Sequence, residues 1–249
     1  MDVRDCAAES ALPTMKVLRG LLQNIEIGAR RPLLVRRERV AHIGVRKRVL
    51  FASDLHLRKQ GPRHIVEGLV EIAARECPDL MLLGGDLIDS RNGLQPLQSL
   101  VRSLSCVAPV CAVSGNHDRW IGAARVRAAV LGGGGHWLED RPWFLTSDCA
   151  VYGSSTQPVQ SAAYHLLCTH HPGVSTRGRH FDLTLSGHFH GGQFVFYQRN
   201  GRLYPGAFLY RWNGLRFDRD GRTVLISRGV QDTLPLRWNC PREVLLVDI

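Results

Sequence analysis

The chain has 249 residues, 44% of them hydrophobic and 22% charged, which fits one ordinary globular domain and excludes a collagen-like, coiled-coil or disordered protein. Its formal net charge of +10 raises an anionic partner, but most of the excess lies between Lys16 and Arg48, where ten basic residues face only Glu26 and Glu38. No apolar run approaches the ~18 residues that cross a bilayer and no secretory leader pattern is visible, so a cytoplasmic protein is expected.

Residues 1–47 read as a basic N-terminal segment. Leu18, Leu21, Leu22 and Ile25 fall at helical spacing after Pro13, which predicts a short amphipathic helix, followed by an edge strand packed on the domain. The alternative for residues 16–48 is peripheral contact with anionic lipid on the inner face of the membrane, since each Lys or Arg near such a surface contributes about 1 kcal/mol.

From residue 48 to residue 249 the chain reads as the main domain. "RVLFAS" is a buried strand, and Ile65, Leu69, Ile72 and Ala73 mark one face of a helix between Pro62 and Pro78. "LMLLGG", "LQPLQSLVRSL", "PVCAVSG" and "RWIGAARVRAAVL" continue as strand, helix, strand and helix, the last stopped by Gly132 to Gly135. Such alternation predicts parallel strands with crossover helices. The second half is strand-rich: "CAVYGSS", "YHLLCTHH", "FDLTLSGH", "QFVFYQ", "TVLISRG" and "EVLLVDI". Seven cysteines are scattered without a C-x-x-C pair, so reduced, mostly buried thiols are expected.

Acids and imidazoles stand where the apolar strands end. Asp54 and His56 follow the first strand, Asp86 the second, and Asn116, His117 and Asp118 the third; His170 and His171, then His188 and His190, repeat the pattern later. Any one of them alone reads as a turn former, a helix cap or an ordinary histidine. Open α/β sheets, however, gather the carboxyl ends of their strands at one edge, where ligands bind. Two carboxylates, one amide and four imidazoles, without a thiolate, suit Mn, Fe or Zn better than Mg or Ca. Seven donors exceed one ion's needs, whereas two ions about 3.5–4 Å apart would use them all.

The blocks "SDLHL" (53–57), "GGDLID" (84–89), "SGNHD" (114–118), "THHP" (169–172) and "SGHFHGGQ" (186–193) resemble those of the calcineurin-like metallophosphoesterase family, over roughly residues 48 to 249. The tail "SRGVQDTLPLRWNCPREVLLVDI" resembles the bacterial branch of small phosphodiesterases that includes UDP-2,3-diacylglucosamine hydrolases. This resemblance implies an α/β fold, a four-layer αββα sandwich of two mixed β-sheets flanked by helices. It implies two divalent metal ions, manganese first with iron or zinc as alternatives. Asp54, His56 and His190 would hold the first and Asn116, His170 and His188 the second, with Asp86 bridging. His117 matches the family's catalytic histidine, with Asp118 placed to orient it and His171 left beside the ligands or substrate.

The implied activity is hydrolysis of a phosphodiester or pyrophosphate bond, by in-line attack of a hydroxide bridging the two metals, on a small-molecule or lipid-linked phosphoester such as UDP-2,3-diacylglucosamine. A nuclease is the alternative on the same fold, disfavoured because the charge excess lies outside the motif-bearing region. A catalytically silent scaffold is the alternative from another class, and it predicts missing ligands where none is missing. Arg58 and Arg237 could meet a phosphate but read more simply as surface or structural arginines. Phe189, Phe194, Phe196, Tyr204, Phe208, Tyr210 and Trp212 cluster around and after the H-x-H block; core packing is expected to account for most of them, although a lipid chain or sugar nucleotide would need such a wall.

Overall fold

The structure is a computed structural model that describes residues 24–40, 46–158, 161–176, 180–232 and 234–249. The first half runs β1 (Ile25–Ile27), β2 (Leu34–Arg39), β3 (Arg48–Ala52), α1 (Arg63–Glu76), β4 (Leu80–Gly84), α2 (Leu94–Ser105), β5 (Val110–Val113), α3 (Asn116–Ile121), α4 (Ala123–Gly132) and β6 (His136–Trp137). The second half runs β7 (Trp143–Phe144), β8 (Cys149–Tyr152), β9 (Tyr164–Cys168), β10 (Leu183–Ser186), β11 (Val195–Arg199), β12 (Arg202–Pro205), α5 (Gly206–Leu209), β13 (Arg216–Arg219), β14 (Arg222–Ile226), β15 (Leu236–Trp238) and β16 (Glu243–Asp248).

Two six-stranded mixed sheets form the centre. The first has the order β2-β16-β3-β4-β5-β6 and the second β13-β14-β10-β9-β8-β7. β3 to β6 are parallel, as the alternation of strands and helices predicts, and only the β16–β3 pair in that sheet is antiparallel. In the second sheet β14, β10, β9 and β8 are parallel and the edge strands β13 and β7 are antiparallel.

Alternation along β3 shows how the layers are held. Leu50 and Ala52 join Ile65, Leu69, Leu97, Leu104 and Val126 beneath the helices. Val49 and Phe51 instead meet Leu166, Cys168, Leu183 and Leu185 of the second sheet. A strand buried on both faces needs an unbroken apolar run, which is why these strands show no polar alternation. Each fully buried aliphatic side chain contributes about 1.5–3 kcal/mol. The outer face of the second sheet carries the smaller cluster of Ala150, Tyr152, Ala162, Leu167 and Phe181.

Three expectations change. Ile25 belongs to β1, which pairs with β15, so it is not the last turn of a helix; Leu18, Leu21 and Leu22 lie outside the described residues. The third crossover helix is two helices, because Gly122 takes φ +120° between α3 and α4, a conformation that other residues rarely adopt. The aromatic residues after the H-x-H block are not core, since none of the seven is buried and Phe196, Phe208 and Tyr210 are exposed.

The basic segment is partly drawn into the fold. β2 is an edge strand of the first sheet, and four of the segment's charges are paired. Arg36 donates to the Ile226 carbonyl, Arg37 pairs with Glu76, Lys47 with Asp79 and Arg48 with Asp248. Among the described residues no helix is long and apolar enough to cross a membrane. Of the six described cysteines, all unpaired, four are buried.

Candidate metal centre

Five parallel strands end at one edge of the sandwich. Asp54 and His56 follow β3, Asp86 follows β4, and Asn116 and His117 open α3 just beyond β5. His170 follows β9, and His188 and His190 follow β10. Five of these residues sit in the left-handed region: Asp54 (φ 56°), His56 (42°), Asp86 (49°), His188 (79°) and His190 (49°). Each such residue costs on the order of 1–3 kcal/mol, and such strain gathers where a site over-determines the backbone.

Glycines admit the close approach. A Cβ on Gly187 would stand 2.3 Å from Ser53 Oγ and 2.4 Å from Asp54 Oδ2, and one on Gly115 would stand 2.1 Å from Asp86 Oδ1. A side chain at either position would force these groups to shift.

The donors converge into two overlapping groups. Asp54, His56 and His190 offer ligand atoms within 4.8 Å of one another, and so do Asp54, Asp86 and His170. His188 Nδ1 lies 3.1 Å from both Asn116 Oδ1 and His170 Nε2, and His170 Nε2 lies 3.2 Å from Asp86 Oδ2. All seven residues singled out as ligands therefore meet in one place.

Three of the four imidazoles are fixed through their Nδ1 atoms. His170 Nδ1 donates to the Gly84 carbonyl (3.0 Å), His190 Nδ1 to that of Gln231 (3.1 Å), and His56 Nδ1 meets Asp89 Oδ1 at 2.5 Å. This leaves Nε2 of each turned away from its anchor, the arrangement metal-ligating histidines adopt. His56 Nε2 is buried and has no hydrogen-bond partner, an orphan that a bound cation would satisfy. Oxygen and imidazole donors around it fit a divalent ion.

The electrostatics match this crowding. Burial alone would raise the Asp86 carboxyl, but the hydrogen bond and charge of His170 hold it at about 2. Burial would lower the His170 imidazole, yet its bond to Asp86 and the charge of Asp54 lift it to about 9. His188 falls to about 4 because it is buried and because His170 and His171 repel its protonated form. Asp54, although fully buried, stays below its usual value through the charges of His190, His170 and His56.

His117 stands at the edge of this group, its ring 4.9 Å from that of His56. Its expected partner is corrected. Asp118 accepts from the backbone N–H groups of Gly115 (2.8 Å), Leu87 (3.0 Å) and Ile88 (3.1 Å), so it braces the loop. The carboxylate facing His117 Nδ1 is Asp89, at 3.4 Å. His171 keeps to the rim, its ring 4.9 Å from His188 and 5.4 Å from Phe189.

Two further residues escaped sequence reasoning. Asp89 closes the "GGDLID" block three residues after Asp86, a signal that was present but unused. Asp232 had no local signal. It lies 3.1 Å from His190 Nδ1 and is gripped by Arg237 (2.7 Å) and Arg242 (2.8 Å), all but fully buried. Arg237 is thus structural, while Arg58 pairs with Asp89 and lines, with Lys59, Asn92 and His117, a cavity of about 720 Å³.

A family model described as calcineurin-like phosphoesterase matches residues 47–199, and the chain belongs to that family. It is accordingly a metal-dependent phosphoester hydrolase with a divalent metal centre. The phosphodiesterase YaeI of Escherichia coli is 26% identical over 221 residues, covering 81% of this chain and 82% of that protein. An uncharacterized metallophosphoesterase of Bacillus subtilis, YkoQ, is 27% identical over 212 residues, covering 74% and 76%. Among solved structures, TT1561 of Thermus thermophilus overlays with a TM-score of 0.45 at 13% identity, covering 75% of this chain and 91% of that one.

Proposed function

We propose that the chain hydrolyses a phosphodiester or pyrophosphate bond with two divalent ions, the first held by Asp54, His56 and His190, the second by Asn116, His170 and His188, with Asp86 between them. The observation that carries this reading is the convergence of seven donors in two adjoining groups, one of which holds a buried His56 Nε2 with no partner. Manganese is the first choice for this donor set, with iron and zinc accepted by the same chemistry. When bound, the ions supply Lewis acidity toward the phosphoryl oxygens and a nucleophile near neutral pH.

The remaining work falls to side chains. His117 delivers a proton to the leaving oxygen, a role that typically contributes about 10²–10⁴-fold. Asp89 orients it and at the same time fixes the His56 tautomer. Arg58 and Lys59, beside His117, offer cationic contacts to the phosphoester or to a second phosphate on the leaving group. Trp120, 77% exposed and with its ring 5.1 Å from His117, offers a face on which a base or acyl chain packs. The finer assignment is a lipid-linked nucleotide such as UDP-2,3-diacylglucosamine. The N-terminal charge excess that raised the nuclease alternative gives it little support, because Arg36, Arg37, Lys47 and Arg48 are engaged within the fold.

The test is to strip the protein with a chelator, reload it with Mn²⁺, and assay a bis-aryl phosphodiester beside UDP-2,3-diacylglucosamine. Metal-dependent turnover of both, far more efficient on the lipid nucleotide, is expected. Turnover of the aryl diester alone would discard the lipid nucleotide, and turnover that survives full metal removal would overturn the metal reading.

A further inference from the structure

The hairpin β11–β12 stands apart from both main sheets as a two-stranded sheet of its own, and with α5 it carries apolar side chains into solvent. Phe196, Tyr197, Phe208, Leu209 and Tyr210 are all exposed, Phe208 by 72% and Leu209 by 80%. Tyr197 stacks on Tyr204 with ring centres 4.6 Å apart, and Tyr204 meets Phe208 at 4.8 Å, so part of the group forms a continuous row. Tyr210 in turn reaches Phe189 at 5.6 Å, and Phe189 lies 5.0 Å from His188. The surface thus runs up to the metal centre.

Its charge is one-sided. No aspartate or glutamate occurs from Leu183 to Phe217. Arg199 and Arg211 are exposed and Arg202 half-buried, and no carboxylate among the described residues pairs with any of the three. Asp218 and Asp220 share a cavity with Arg202 and Arg211, but Arg216, Arg219 and Arg222 line it too, so the excess stays positive. Exposed aromatics with an excess of arginine are the composition of a face that enters the headgroup region of an anionic bilayer. A second protein copy fits less well, because two such faces would bring arginines against arginines.

We infer that β11–β12 and α5 form a docking surface for anionic lipid membranes, which presents the metal centre to a phosphoester at the bilayer surface. The surface differs from the N-terminal segment, where Arg36, Arg37, Lys47 and Arg48 are taken up by ion pairs within the fold. The inference goes beyond the hydrolase reading, and its readout does not depend on turnover.

The experiment is sedimentation of the full chain with phosphatidylcholine vesicles, with and without phosphatidylglycerol, for the wild type, F208S/L209S and R199Q/R211Q. Wild type should partition to the anionic vesicles and little to the neutral ones. F208S/L209S should lower the partition coefficient by about tenfold or more, and R199Q/R211Q by about fivefold for each charge removed at low salt. Both variants should keep the wild-type rate on a soluble bis-aryl phosphodiester, which separates loss of docking from loss of fold. The inference is overturned if wild type ignores anionic vesicles, or if both variants bind as wild type does, since the N-terminal segment is retained in all three. It is equally overturned if light scattering shows a dimer that F208S/L209S converts to monomer.

Discussion

Asp89 faces His117 across 3.4 Å while the same carboxylate oxygen lies 2.5 Å from His56 Nδ1. One oxygen therefore anchors both a candidate metal ligand and the candidate proton donor. Burial would raise the Asp89 carboxyl, but its bonds and charges from His56 and Arg58 keep it below its usual value, so it stays an acceptor for His56 and a negative charge facing His117.

Replacing Asp89 by Asn should therefore injure two functions together. Metal affinity is expected to fall about 10–100-fold, as when the partner of a ligating histidine is lost, and turnover should fall even at saturating metal. Metal titration followed by saturating-metal kinetics checks this; loss of affinity with turnover fully restored would confine Asp89 to His56.

His117→Ala should separate the two. The variant is expected to retain wild-type metal content, measured by elemental analysis, while turnover drops about 10²–10⁴-fold. An aryl substrate with a good leaving group should suffer less than an alkyl one, because it needs the proton least.

Gly187→Ala probes the close approach behind the site. The added methyl would lie 2.3 Å from Ser53 Oγ and 2.4 Å from Asp54 Oδ2, and relieving that overlap should cost about 1–3 kcal/mol. A lowered urea midpoint together with weakened metal binding is the expected result.

Arg237→Ala tests the buried network behind His190. Arg237 holds Asp232 at 2.7 Å in a nearly solvent-free setting, and breaking such a pair from one side costs about 3–5 kcal/mol. Thermal unfolding should show the loss, and Arg237→Lys should recover only part of it because the paired contacts to Asp232 need the planar guanidinium.

Asp79 gives a pH-dependent prediction away from the metal centre. Burial would raise its carboxyl, but the Lys47 ammonium and the Arg48 backbone N–H hold it below 3.8. A depressed folded value means that the contribution to stability is complete above the unfolded value and disappears as pH falls through the folded one. Wild type should exceed Asp79→Asn in urea midpoint near neutral pH, with the gap closing below 3.8. A gap that does not change with pH would contradict the assignment.

Much of the candidate metal centre was legible in the sequence. Asp54, Asp86, Asn116, His170, His188 and His190 each follow an apolar run within a few residues, and parallel strands of equal sense must deliver such positions to one edge. The strands themselves were legible because both faces are buried, which forces unbroken runs such as Leu80–Gly84. What the sequence could not decide was partnership. Asp118 adjoins His117 along the chain, yet helix geometry turns its carboxylate back onto the amides of Gly115, Leu87 and Ile88.

The sequence by itself determined where the apolar strands run and which candidate donors follow them, because local patterning decides both; that the C-terminal strand β16 lies between β2 and β3 was decided only by the packed sheet. Tertiary structure alone decided that Asp89 faces His117, that Asp232 backs His190 across 42 residues of chain, and that Phe196, Phe208 and Tyr210 after the H-x-H block face solvent. Those outcomes depend on which surfaces remain uncovered once the two sheets have packed, and that is a property of the assembled layers, not of any segment within them.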